Sequence, residues 1–175
     1  SHVTNDVARG LSTPVSHAER MKILYGSAVA SQSDENQVID VPLVGEDDHN
    51  HPNHVPRSIL ISIIQPRIEE TFELVRERLE FSGANRVSGR RLVLTGGACQ
   101  LNGVPELAGT VLEKQVRVGR PLRISGLAEA TSGPAFSTCA GLLRYGVEKY
   151  AGTIEDTPSN ANTPASRITK ISQWL

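Results

Sequence analysis

An apolar run that halts at a pair of glycines limits the folds open to this chain more than anything else in it. Leu92-Val93-Leu94-Thr95 reads as the end of a buried strand over Arg91 to Thr95, and Gly96-Gly97 stops it. The amphipathic stretch Val104 to Gln115 follows as a helix, with Pro105 in its first turn. Val116 to Val118 is a further short strand. Strand, helix and strand in that order point to an α/β layer. Glycine has no Cβ, so Gly96-Gly97 brings bare backbone to the carboxyl edge of the strand, where open α/β sheets bind ligands. A tight turn without a ligand explains the same glycines.

The rest of the chain supplies more helix than strand. Val3 to Leu11 reads as a short helix that Ser12-Thr13-Pro14 interrupts. A second helix is expected from His17 to about Ala30, opened by a capping box of Ser16 and Glu19. Its apolar face is Ala18, Met21, Tyr25, Ala28 and Val29. Val38 to Val41 reads as a strand ending at Pro42, and Gly45 to Pro56 as a polar loop. The strongest helical signal spans about Ser58 to Leu79, where Ile64, Ile68, Phe72, Val75 and Leu79 recur at spacings of three and four. Pro66 must kink that helix or begin its second half, and Ser82-Gly83 ends it. A last helix runs from Ala135 to about Tyr150, and the Pro-, Thr-, Ser- and Asn-rich stretch Ala151 to Ser166 reads as a linker.

Composition removes several function classes. The 18 Lys plus Arg residues nearly cancel 19 Asp plus Glu, so no overall field draws the chain to nucleic acid. Aromatic residues are too sparse for a single-strand stacking platform. No stretch reaches the roughly 20 apolar residues of a membrane-spanning helix, and the start has no signal-peptide pattern. Cys99 and Cys139 sit in apolar contexts that suit a reducing compartment. The opening, Ser1-His2-Val3-Thr4-Asn5-Asp6, reads like the interior of a longer protein, so a fragment or processed product is expected.

Four further groups can carry chemistry. Glu19 and Lys22, three apart on a helix, project from one face and suit a ribose diol and a purine edge; a capping-box carboxylate with its ion-pair partner accounts for them as well. Asp47, Asp48, His49, His51 and His54 offer metal-ligand chemistry, but Pro, Asn and Gly between them indicate a surface loop, and no metal site is assigned. Arg67, Arg76 and Arg78 give the long helix a cationic polar face, which is also what an ordinary solvated face looks like. Ile168, Ile171, Trp174 and Leu175 recur at helical spacing beside Arg167 and Lys170, the pattern of a short interfacial helix or of a tail packed on the domain. There is no Gly-x-Ser-x-Gly, Walker loop or Gly-x-Gly-x-x-Gly, so an independent hydrolase is not expected.

Read in order, these segments resemble the C-terminal part of the FtsA family of actin-like bacterial cell-division proteins. Val3 to Leu11 is similar to the segment after the family's second phosphate loop, and Ala18-Glu19-Arg20-Met21-Lys22 to the helix that contacts adenosine. Ile63-Ile64-Gln65-Pro66-Arg67 resembles the start of the long helix of the smallest subdomain. Leu94-Thr95-Gly96-Gly97-Ala98-Cys99-Gln100-Leu101-Asn102-Gly103 resembles the adenosine motif. Val116 to Pro121 and Ala140 to Gly146 complete the match, which covers nearly the whole chain.

The resemblance implies an α/β (α+β) fold: part of the second lobe of an actin-like ATPase, with a partial ribonuclease-H-like subdomain and a small α/β subdomain. The small subdomain, at 17–83, would bind FtsZ. Residues 1–16 and 84–150 would belong to the larger subdomain, 151–166 to a linker, and 167–175 to a membrane-targeting tail. Glu19, Lys22, Gly96, Gly97 and Ala98 would line the adenosine side of an ATP site. Arg67, Arg76 and Arg78 would meet acidic residues of the FtsZ tail. ATP with Mg²⁺ is the family's cofactor. Both acidic, glycine-rich phosphate loops are missing from this sequence, so the chain alone is expected neither to hold ATP well nor to hydrolyse it. A sheet lacking its neighbouring strands would expose an apolar face or a free edge, so self-association is expected. The implied setting is the cytoplasmic face of the membrane at the division site. The second lobe of another actin-like filament or pilus-assembly ATPase is the alternative, and an unrelated soluble α/β domain fits least.

Overall fold

One long helix connects two hydrophobic clusters in the computed structural model, which describes residues 2–44, 53–83, 89–121 and 129–155. α1 (His2–Gly10) and α2 (Val15–Tyr25) pack on each other and on the first half of α3 (Arg57–Phe81). β1 (Val38–Val41) and β2 (Asn53–Pro56) pair antiparallel, with Val38 opposite Pro56 and Val41 opposite Asn53. Val7, Leu11, Met21, Ile39, Val41, Val55, Leu60 and Ile64 form the first cluster. Leu60 and Ile64 lie one turn apart on α3, Val7 and Leu11 one turn apart along the first segment, and Ile39 and Val41 on one face of β1. Each pair therefore meets the core by the period of its own element. Burying a side chain of this kind contributes about 1.5–3 kcal/mol.

The second cluster lies at the other half of α3. Phe72 packs there with Ala28 and with Val104, Leu107, Ala108, Val111 and Leu112 of α4 (Val104–Leu112). α4 connects β3 (Arg91–Leu94) to β4 (Gln115–Val118), and the two strands run parallel, with Leu94 opposite Val118. Leu92, Leu94 and Val116 pack against this cluster. Val93 faces the other way and is 48% exposed, on a side it shares with Arg91, Gln115 and Arg117. Ile68 and Leu101 touch both clusters.

Contacts divide the chain into two units, residues 1–137 and 138–175. The described part of the second belongs to α5 (Ser137–Glu155), where Arg144 and Glu148 pair at 2.7 Å one turn apart. Mixed helix and small sheets fit the α/β class. The chain has no disulfide: Cys99 is buried and Cys139 exposed, both as free thiols.

Several sequence expectations are corrected. No capping box forms at Ser16, because Pro14 is the N-cap of α2 and the Glu19 carboxylate bonds to α1 and Lys22. α2 ends at Tyr25, not near Ala30, since the chain turns extended at Gly26 and bridges Ser27 to Asn102. Ala28 is still buried, but in the other cluster, and Val29 is 42% exposed. The supposed loop ends in strand β2, where only the Val55 side chain is buried, too little apolar signal to see in four residues. α3 continues through Pro66 as one helix, so no second half begins there. Pro66 and Ser62, whose carbonyl lacks its usual donor, are both exposed, so water can replace the bond. The apolar stripe stops being buried after Phe72, leaving Val75 exposed. The Gly96-Gly97 pair leads into a 3₁₀ turn, Gly97–Gln100, before α4 begins. α5 continues to Glu155, so the first residues of the expected linker are helical.

Candidate functional site

Thr4, Glu19 and Lys22 form a polar cluster where α1 meets α2. Thr4 is 3% exposed, and its hydroxyl donates to Glu19 Oε2 at 2.5 Å. Lys22 Nζ donates to the same oxygen at 2.7 Å and to Thr4 Oγ1 at 3.1 Å. The hydrogen bond from Lys22, and after it the one from Thr4, holds the Glu19 carboxyl below the ordinary carboxylate range. Glu19 is therefore an anion at neutral pH. Its side chain is 45% exposed, and its second oxygen can accept from a further donor.

The glycine edge is assembled separately. Gly96 adopts φ +94°, a conformation L side chains rarely take, and its N–H donates to Pro134 O at 3.0 Å. The Cys99 thiol turns back to the Gly96 carbonyl at 2.9 Å. Thr95 Oγ1 donates to Ser137 Oγ at 2.6 Å and is 3.2 Å from Gly119 O. Gly97 and Ala98 are exposed, and a Cβ placed on Gly97 would meet only the Ala135 methyl at 3.9 Å. The backbone here is pinned on one side and open on the other, which is what a flat ligand needs. Glu19 and Lys22 are thus bonded to Thr4 of α1, whereas the glycine edge is bonded to the Pro134 turn.

The three arginines of α3 separate. Arg67 Nε donates to Asp6 Oδ2 and its Nη1 to Glu70 Oε2, both at 2.5 Å. The Arg67 hydrogen bond lowers the Asp6 pKa, and Asp6 in turn raises that of Arg67. Arg76 Nη1 donates to Val111 O at 3.3 Å, at the end of α4. Arg78 lines a groove of about 570 Å³ with Leu74, Val75 and Leu79. Leu74 is 57% exposed and Phe81, beyond it, 97%. Eleven positions are about three helical turns, so Arg67 and Arg78 share a face, whereas Arg76, nine positions from Arg67, faces the opposite way.

Of the acidic and histidine residues considered for metal, only His54 is described: its Nδ1 lies 2.7 Å from Asp40 Oδ1. Asp47, Asp48, His49 and His51 lie outside the described residues, as do Ile168, Ile171, Trp174 and Leu175. Among the described residues no group of three His, Cys, Asp or Glu could hold a metal ion, and no helix is long and apolar enough to cross a membrane.

Residues 1–141 match the family model described as cell division protein FtsA. This chain belongs to the FtsA family. It is 48% identical over 181 residues to a cell division protein FtsA of Rhizobium meliloti, covering 99% of this chain and 40% of that relative. The FtsA of Pseudomonas aeruginosa is 38% identical over 178 residues, again across 99% of this chain and 42% of the relative. The FtsA of Escherichia coli is 35% identical over 181 residues, with the same coverage of 99% and 42%. The chain therefore spans about 40% of the length of such curated FtsA relatives.

Two residues of the FtsA-like clusters escaped sequence reasoning. Thr4 anchors Glu19 and Lys22, and Asp6 holds Arg67. A threonine in line with the apolar Val7 and Leu11 at spacings of three and four was the available signal for the first. The second had none, because Asp6 and Arg67 meet only through the packing of α1 on α3.

Proposed function

We propose that this chain is the FtsZ-binding and adenosine-side part of an FtsA-type division scaffold, with an actin-like second lobe as its fold. The observation that carries the reading is the outer face of α3, where exposed Leu74 and Phe81 flank the cation of Arg78. An amphipathic face with one arginine suits an acidic peptide that also carries apolar residues, the chemistry expected of the FtsZ C-terminal tail. Arg78 is the better contact of the two arginines on this face, because Arg67 is already engaged by Asp6 and Glu70. Arg76 serves α4 instead.

In the same reading, Glu19, Lys22, Gly96, Gly97 and Ala98 form one wall of an ATP site. The phosphate-holding wall and Mg²⁺ site would lie in parts of the FtsA fold that this sequence does not include, so the chain by itself binds ATP poorly and does not hydrolyse it. The segment with Ile168, Ile171, Trp174 and Leu175 would hold the protein at the cytoplasmic membrane face of the division septum, supporting the Z ring. Among the described residues β3 and β4 form a two-stranded sheet, and its open edges would promote self-association, giving a light-scattering mass above one chain at high concentration. The test is calorimetric binding of a C-terminal FtsZ peptide to the chain and to Arg78→Glu, Arg67→Glu and Arg76→Glu. Loss of binding in Arg78→Glu with the fold intact supports the reading; unchanged binding in both Arg78→Glu and Arg67→Glu would overturn it.

A further inference from the structure

Away from the α3 face, β1 has an open edge beside α2. The Arg57 N–H donates to Gln37 O at 2.7 Å, directly opposite it, so residues 37 and 57 form a hydrogen-bonded pair of the antiparallel ladder. Pairing alternates, so Ile39 and Val41 also point their backbone groups at β2. The N–H and C=O groups of Val38 and Asp40 then point outward, and among the described residues β1 has no strand on that side. An open edge of this kind is a template for another strand.

A cleft of about 240 Å³ runs between this edge and α2. His17, Arg20 and Leu24 line its α2 wall, Val38 and Asp40 its β1 wall, and Pro42 lies at the end of the strand. Leu24 and Val38 are each 58% exposed. Arg20 is exposed and has no hydrogen bond or ion pair among the described residues. The acid of the cleft, Asp40, is bonded to His54 on β2. Thr13 Oγ1 donates to Pro42 O at 2.6 Å, which fixes β1 to the α1–α2 turn and keeps the cleft preformed.

We infer that the β1 edge takes an extended acidic peptide as a third strand. Val38 and Asp40 supply the main-chain hydrogen bonds, Leu24 and Val38 receive an apolar side chain, and Arg20, with His17 beside it, pairs a carboxylate. This site is separate from the α3 face proposed for the FtsZ tail.

The probe is a capped peptide of three Glu-Val repeats, compared with its Lys-Val counterpart by calorimetry and by amide NMR shifts on the whole chain. The Glu-Val peptide should bind and shift the amides of β1 and α2, with the Lys-Val peptide about tenfold weaker or more. Arg20→Glu should weaken binding by at least about tenfold. Val38→Pro removes an outward N–H without touching the β1–β2 ladder and should weaken it as well. If that variant does not fold, main-chain N-methylation of the peptide tests the same bonds. Arg78→Glu should leave this binding unchanged. No binding, equal binding of the Lys-Val peptide, or sensitivity to Arg78→Glu but not Arg20→Glu would overturn the inference; the last result would leave the α3 reading standing. A scattering mass of two chains that Val38→Pro reduces to one would assign the edge to a second copy and overturn it too.

Discussion

Asp6 on α1 receives the guanidinium of Arg67 on α3, 61 positions away in sequence, at 2.5 Å. The bond lowers the Asp6 pKa, so its stabilisation is fully present above the unfolded carboxylate value of about 3.9 and fades as pH falls through the lower folded value. Asp6→Asn should therefore lower Tm at pH 7, and the gap to the parent chain should close below about pH 4. Thermal melts across that range check it. A gap independent of pH would mean that the pair does not act through charge.

Thr4→Val should cost about 2 kcal/mol in denaturant unfolding, because an isosteric side chain keeps the packing of a 3% exposed site and removes both bonds of the hydroxyl, the one to Glu19 and the one from Lys22. The carboxyl-carbon titration of Glu19 should move upward in the same variant, since Thr4 is one of the two hydrogen-bond donors that hold it down. Lys22→Met should move it further, Lys22 being the larger influence.

Asp34 is 1% exposed and takes Arg57 Nη1 at 2.6 Å and the Ser31 N–H at 2.6 Å. Arg57 also donates to Tyr25 O at 2.7 Å, tying the end of α2 to the start of α3. Asp34→Ala takes the acceptor from both donors and empties a buried side-chain site, and should cost about 2 kcal/mol. Equilibrium unfolding measures this directly, and a loss below about 1 kcal/mol would show that water reaches the site.

Glu113 ends α4 at φ +53° and ψ +38°, in the left-handed region, with its N–H bonded to Gly109 O. Glycine takes that conformation without the Cβ conflict, so Glu113→Gly should stabilise the chain by about 1 kcal/mol. A lower denaturation midpoint in this variant would contradict the geometry.

The glycines near the candidate ligand edge should respond oppositely. Gly97→Ala has room beside Ala135 and should change stability by no more than about 0.5 kcal/mol. Gly103→Ala must hold φ +78° with Val29 N only 2.9 Å from the new methyl, and should cost about 2 kcal/mol. Any ligand effect of Gly97→Ala can then be read on an intact fold.

Which parts were legible follows from where the information lies. α3 and α4 were visible because their apolar residues repeat at helical spacing and their ends carry Ser82-Gly83 and Pro105. β2 was not, because four residues with one buried side chain give no period to read. The α2 start was misread because Ser16 and Glu19 satisfy the local capping pattern, while the competing partners of Glu19 include Thr4, fifteen positions earlier. The arginines of α3 looked alike in sequence, yet one is bonded to α1, one reaches α4 and one lines an open groove.

By itself the sequence determined the helices, the β3–α4–β4 unit and the family, since periodicity, glycine placement and motif order are all written along the chain. The tertiary structure alone decided which polar groups meet. Thr4 reaches Glu19, Asp6 reaches Arg67 and Asp34 reaches Arg57 only because helix packing brings them together. A charged side chain advertises its chemistry in one letter; its partner depends on how apolar faces many residues away choose to be buried.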